Sequence, residues 1–179
     1  MRLFALCLIL LAHPSQPHDP PGRDTPGDWI VDHHRTFGLW DSMCDRRTTE
    51  AETERRCYIR YVDVFSARPA FGAQFVFVTP GPRIAFGIEP GTLFRRDGFR
   101  IERDGQIVWA SPQAGCMGGL ACIYEDRPAT YLYDHMTMGG VFVFEFRDRH
   151  GQRQMLEWDL AAFAAARADF ETQSAARGL

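Results

Sequence analysis

Four sulfurs are the residues of this 179-residue chain best suited to chemistry: Cys44, Cys57, Cys116 and Cys122. Metal ligation, thiol–disulfide exchange and structural cross-linking are the three chemistries open to them. Zinc sites built from four cysteines use C-x₂₋₄-C knuckles, and 12 residues separate the first pair here while five separate the second, in "CMGGLAC". A thioredoxin-like site requires C-x-x-C at a helix start, where the helix dipole lowers a thiol pKa. "CMGGLAC" instead runs into the strand-like "CIYE". The spacings therefore favour disulfide clamps, provided the chain reaches an oxidising compartment. Three pairings are open. The neighbouring one, Cys44 with Cys57 and Cys116 with Cys122, closes two short loops and is preferred; each bridge would contribute about 2–3 kcal/mol by the loop-entropy model.

The other chemistry-bearing residues form no recognisable set. "VDHHRT" at 31–36 contains the letters of the DHH phosphoesterase motif without the further Asp and His clusters that would hold two metal ions. A strand there would point His33 and His34 to opposite faces, so they could not chelate one ion together. His135 and His150 are expected as solvated residues near turns, and Glu125-Asp126 as a solvated strand end. There is no G-x-S-x-G elbow for a nucleophilic serine. No catalytic residue, metal site or cofactor is expected.

The N-terminus addresses the compartment. "MRLFALCLILLA" places one cation, Arg2, before an apolar run too short to span a bilayer, and Pro14 then breaks it. Residues 1–15 are expected as a secretory signal, which would remove Cys7. Residues 16–28, rich in proline, are expected as an extended linker, and 29–179 as one domain. No later stretch is apolar enough for a transmembrane helix. The 20 basic residues are all arginine, interspersed with 23 acidic ones, for a formal net charge of −3. Such a balance carries no electrostatic footprint for nucleic acid.

Period-two patterning dominates that domain. "VFVFEFR" at 141–147 sets Phe142, Phe144 and Phe146 on one face; "FRIERD" at 99–104 alternates Phe99 and Ile101 against Arg100 and Glu102. "QFVFV" at 74–78 pairs Phe75 with Phe77, and "CYIRYV" at 57–62 aligns Cys57, Ile59 and Tyr61. Turn signals separate these runs, and Asp104-Gly105 in "RIERDGQIVW" predicts a tight hairpin. The expected fold is all-β: an antiparallel sandwich or barrel-like sandwich of about 8–10 short strands. A C-terminal helix follows in "DLAAFAAARADFETQSAARGL", with Asp159 as its N-cap and Leu160, Phe163 and Phe170 as its apolar stripe.

Taken in order, several segments resemble the invasion-associated locus B (IalB) family. "FGLWDSMC" (37–44) is similar to the family's F-G-x-W-x-x-x-C opening, and a second cysteine opens the apolar strand "CYIRY". "IEPGTLFRRDGFRIERDG" (88–105) resembles "lPlGv.l..gv.l.iDdg". "CMGGLAC" stands where the family has its second cysteine pair, usually ending Gly-Cys, with Ala121 here. "LEWDLAAFAAA" (156–166) resembles the closing "lsL.GF..A", with Ala162 in place of glycine. These changes and the insert "DRRTTEAETERR" (45–56) mark a divergent member. The resemblance covers nearly all of 29–179. It implies an exported periplasmic or surface-associated protein of a Gram-negative bacterium, with a β-rich fold, two disulfides and no known cofactor. The family's name records an association with host-cell invasion and supplies no biochemical activity.

Together these features lead to the expectation of a non-enzymatic envelope interaction domain, binding an unknown protein, envelope component or glycan through its loops. The alternative is a periplasmic thiol–disulfide enzyme using Cys116 and Cys122, with Gly118 and Gly119 between them. An inhibitor of secreted enzymes is a third possibility, with exposed loops at 45–56 and 110–119.

Overall fold

A computed structural model of the chain describes residues 28–67, 70–88, 93–111, 122–147 and 150–179. The expected signal, the expected linker up to residue 27, Cys116 and the segment 112–121 lie outside the described residues. Ten strands and two helices are described in the order β1 (Trp29–Phe37), β2 (Trp40–Thr48), β3 (Thr53–Ala67), β4 (Ala70–Thr79), β5 (Arg83–Ile88), β6 (Leu93–Arg103), β7 (Gln106–Ala110), β8 (Cys122–Tyr124), α1 (Asp126–Thr137), β9 (Val141–Arg147), β10 (Arg153–Asp159) and α2 (Phe163–Ala176).

The strands form two antiparallel sheets. One has six strands in the order β1-β2-β3-β4-β5-β8, and the other has four in the order β10-β9-β6-β7. This is the expected sandwich-like all-β architecture with its C-terminal helix. The strands are not uniformly short, since β3 runs for 15 residues and β6 for 11.

Alternation along the strands builds the core. From the smaller sheet, Phe99, Ile101, Trp109, Phe142, Phe144, Phe146 and Trp158 point inward; from the larger come Trp40, Cys44, Cys57, Ile59, Ile84 and Phe86. Phe86 meets Phe99 edge-on at 4.6 Å and Phe142 at 5.4 Å, so aromatic contacts bridge the sheets directly. Such tilted pairs each add about 0.5–1.5 kcal/mol beyond the area they bury. In β4 it is Val76 and Val78 that are fully buried, while Phe77 is half-buried on the opposite face against Tyr58 at 5.8 Å. The alternation is as expected, with the β-branched pair packed inward and the Phe77 ring against Tyr58 on the other face.

The Asp104-Gly105 hairpin joins β6 and β7 as expected, with φ of 52° and 74° at its two turn residues. Positive φ at both positions matches the right-handed strand twist, and Asp and Gly tolerate it. A second glycine is fixed by crowding. A Cβ on Gly140, at φ 105°, would lie 2.4 Å from the Glu102 carbonyl oxygen. That close approach lets β9 leave α1 directly alongside β6.

The helices close the remaining sides. α2 packs on β1, β2 and β3 through Phe163, Ala166 and Phe170, with Phe163 meeting Trp40 edge-on at 4.9 Å. Leu160 is buried just ahead of the helix. Asp159 does not cap α2: its carboxylate accepts from the Ala161 N–H at 2.8 Å, and the helix begins two residues later behind Ala162. At the far end Gly178, at φ 73°, permits a Schellman closure, in which the Leu179 N–H reaches the Ser174 carbonyl at 3.0 Å and the Gly178 N–H that of Ala175 at 3.2 Å. α1 is the element the patterning did not announce. It packs on β5, β7 and α2, burying Ala129, Leu132, Tyr133 and Met136.

Candidate functional site

Cys44 and Cys57 stand directly opposite each other on β2 and β3 and form a disulfide, with Cα atoms 4.1 Å apart. Both are fully buried. Cys122 opens β8, is also disulfide-bonded and is 4% exposed. Cys116, its expected partner, lies outside the described residues. Burial leaves the sulfurs of Cys44, Cys57 and Cys122 little approach for an attacking thiolate.

The insert 45–56 is not a loop. Residues 45–48 extend β2, residues 53–56 extend β3, and only Thr49–Glu52 turn, closed by the Thr49 N–H to the Glu52 carbonyl at 2.9 Å. Within it Asp45 is 3% exposed, receiving Arg56 Nε at 2.7 Å, Arg56 Nη2 at 3.0 Å and the Tyr58 hydroxyl at 3.2 Å. The Arg56 guanidinium in turn lies 3.7 Å over the Trp29 ring. This cluster satisfies itself and fastens β1 to the hairpin.

The histidines fall on opposite faces of β1, as strand geometry requires. His33 Nε2 meets Asp169 Oδ2 of α2 at 2.7 Å, and His34 Nε2 meets Asp41 Oδ1 at 3.0 Å. Arg35 adds a second tie to Asp169 at 3.1 Å. Burial pushes the Asp169 carboxyl up, but the bond to His33 and the charges of His33 and Arg35 outweigh it and hold it below the ordinary value. His135 lies on α1 against the Tyr131 ring at 4.5 Å, where burial and nearby Arg103 lower its pKa. It is thus helical and packed rather than a turn residue. His150 is in the β9–β10 turn and exposed. Among the described residues no three His, Cys, Asp or Glu side chains gather as a metal-ligand group.

A cleft lies elsewhere, where β7, β8 and α1 meet. These are the outer strands of the two sheets, and α1 bridges them. The cleft has a volume of about 570 Å³ and its strand side is lined by Val108, Trp109, Ala110 and Tyr124. Arg127, Pro128 and Tyr131 of α1 form the other wall. Trp109 stands edge-on to Tyr124 at 5.9 Å and to Phe99 at 6.0 Å, so the floor is continuous with the core. The Tyr124 hydroxyl is fixed by Ser111 Oγ at 2.6 Å, both buried. Burial raises the Tyr124 pKa and Ser111 only partly opposes it, which keeps the phenol neutral.

Local backbone geometry aims the α1 wall. Asp126 adopts φ 53°, a left-handed conformation that Asp tolerates better than most residues, and it turns the chain from β8 into the helix. Glu125, ahead of the helix, pairs with Arg83 of β5 at 2.9 Å. Glu125-Asp126 is therefore solvated as expected, but it begins a helix rather than ending a strand. Arg127 then stands on the cleft with no ion-pair partner among the described residues. Of the cleft residues only Ala110 fell in a segment singled out from sequence as a candidate functional loop, the one expected at 110–119, and it ends β7 instead. The signal was present, since Ala129, Leu132, Tyr133 and Met136 follow helical spacing behind a first-turn proline.

Comparison of the chain with family models, with curated proteins and with solved structures finds no match. No described helix is long and apolar enough to cross a membrane.

Proposed function

We propose that this chain is an exported, non-enzymatic binding domain of the bacterial envelope, with the cleft between β7, β8 and α1 as its ligand site. The single observation that carries this reading is the preformed cleft itself. Its volume of about 570 Å³ falls within the usual range for small-ligand sites, and its described wall residues are largely apolar and aromatic with one charged residue among them. The buried Cys44–Cys57 bridge supports an oxidising compartment, where such cross-links persist. The family resemblance supports the same location. A role in host interaction belongs to that resemblance, as does the expected pairing of Cys116 with Cys122. The thiol–disulfide alternative gains nothing from Cys122, whose side chain is buried.

Two measurements test the reading. A fusion of residues 1–28 to a phosphatase that folds only after forming disulfides should be active in whole cells; an inactive fusion would remove the export step. The protein should take up a neutral apolar dye such as Nile red saturably, one per chain. Ala110→Phe, at an exposed position on the cleft wall, should block uptake without unfolding the protein. Uptake indifferent to Ala110→Phe would place binding outside the cleft.

A further inference from the structure

From the charge balance of the cleft, and resting on the reading above, we infer that its ligand is a small amphipathic carboxylate: an aromatic ring or a short acyl chain ending in an anionic group. The body of the ligand follows from the walls. Trp109 and Tyr124 offer ring surface at the floor, Val108 and Pro128 offer aliphatic surface, and Tyr131, 57% exposed, stands at the mouth. A flat ring or an unbranched chain can make continuous contact there, and the ring edges and faces favour tilted stacking.

The head group follows from Arg127. Most arginines with described positions have partners: Arg47 holds Glu54, Arg56 holds Asp45, Arg60 holds Asp41, Arg83 holds Glu125, and Arg167 holds Asp134 and Glu171. Arg127 has none of these ties and is the one charged residue described on the cleft walls. Glu125 is occupied by Arg83, and Asp126 does not line the cleft. A ligand carboxylate would therefore meet an uncommitted guanidinium with no competing anion among the described wall residues. Guanidinium binds carboxylate through two parallel N–H donors, which fixes the direction of the ligand as well as its charge. Its apolar end then faces Trp109, away from solvent.

Calorimetric titration of the full chain with phenylacetate and hexanoate, each against its neutral amide, tests the inference. Both acids should bind more tightly than their amides by about fivefold at low salt, the scale of one partly exposed charge-assisted pair. Raising the salt to about 0.5 M should remove most of that difference. Arg127→Gln should abolish the preference for the acids over their amides, with the near-ultraviolet circular dichroism preserved. Acids and amides that bind alike, with no effect of Arg127→Gln, would overturn the carboxylate inference while leaving the cleft as a site, provided Ala110→Phe abolishes both. Binding of neither class, or binding that survives Ala110→Phe, would overturn the inference together with the function from which it starts.

Discussion

At the scale of single residues, buried polar groups and crowded backbone separate structural positions from functional ones. Asp45 sits under the Arg56–Trp29 stack with three hydrogen bonds to its carboxylate. Asp45→Ala leaves the Tyr58 hydroxyl and the inner side of Arg56 unmatched, and is expected to cost about 1–3 kcal/mol in urea unfolding. Arg56 is half-exposed and can turn to water, so the loss should stay below that of a fully buried ion pair. Gly140→Ala is expected to be more severe than its size suggests. The added methyl meets the Glu102 carbonyl at 2.4 Å, and φ of 105° is strained for any side chain, so a loss of about 2–3 kcal/mol should appear in the same assay. Neither change touches the cleft, and ligand affinity per folded molecule should be unaltered.

The elements carry the pH dependence. α2 is tied to the edge strand β1 by Asp169, which takes both His33 and Arg35. Asp41 ties β1 to β2 and β3 through His34, Thr36 and Arg60, and those bonds outweigh burial to lower its pKa as well. A carboxyl whose folded pKa lies below its unfolded value contributes stability that is complete above the unfolded value, near 4. That contribution is lost as pH falls through the folded value. The urea midpoint should therefore drop between about pH 5 and pH 2, and Asp169→Asn should shrink that drop while lowering stability at pH 7. A midpoint whose acid dependence is untouched by Asp169→Asn would contradict this role for the β1–α2 tie.

Legibility in the sequence also varied by element. The Phe142–Phe144–Phe146 stripe and the Asp104-Gly105 turn were readable because each is decided by neighbours in sequence: period two in one, positive φ in the other. β4 was readable as a strand but not by face, since valines and phenylalanines alternate and only tertiary packing chooses Val76 and Val78 for the interior. α1 was overlooked because its helical apolar positions sit among Asp, Arg and Thr directly after a β-like run. The cleft depends on α1, so the candidate site was hidden with it. The opposite facing of His33 and His34 was readable from strand geometry, but their carboxylate partners, 136 and seven residues away, are products of the fold. The insert 45–56 was read as an exposed loop, whereas its arginines and acids pair across a hairpin.

For the whole molecule, two sheets share one aromatic core, and a cross-strand disulfide closes the hairpin next to it. Cys44 and Cys57 lie 13 residues apart, for which the loop-entropy model gives about 3 kcal/mol. Replacing both by serine should lower stability by that amount or more, since two hydroxyls would then be buried without assured partners. In glutathione buffers of decreasing potential, the bridge should remain oxidised below about −300 mV, as expected of a sealed structural disulfide. Opening near −200 mV would mark it as labile and would favour exchange chemistry over a clamp.

The central claim is that the rigid sandwich serves the cleft at the junction of β7, β8 and α1. An NMR titration with phenylacetate reads it most directly, because the four tryptophans report from separate places and only Trp109 lines the cleft. The Trp109 indole N–H and the amides of Ala110 and Tyr131 should shift saturably, while the indoles of Trp29, Trp40 and Trp158 stay in place. Shifts centred on Trp29 or spread over the sheet surface, or the absence of any saturable shift, would contradict it.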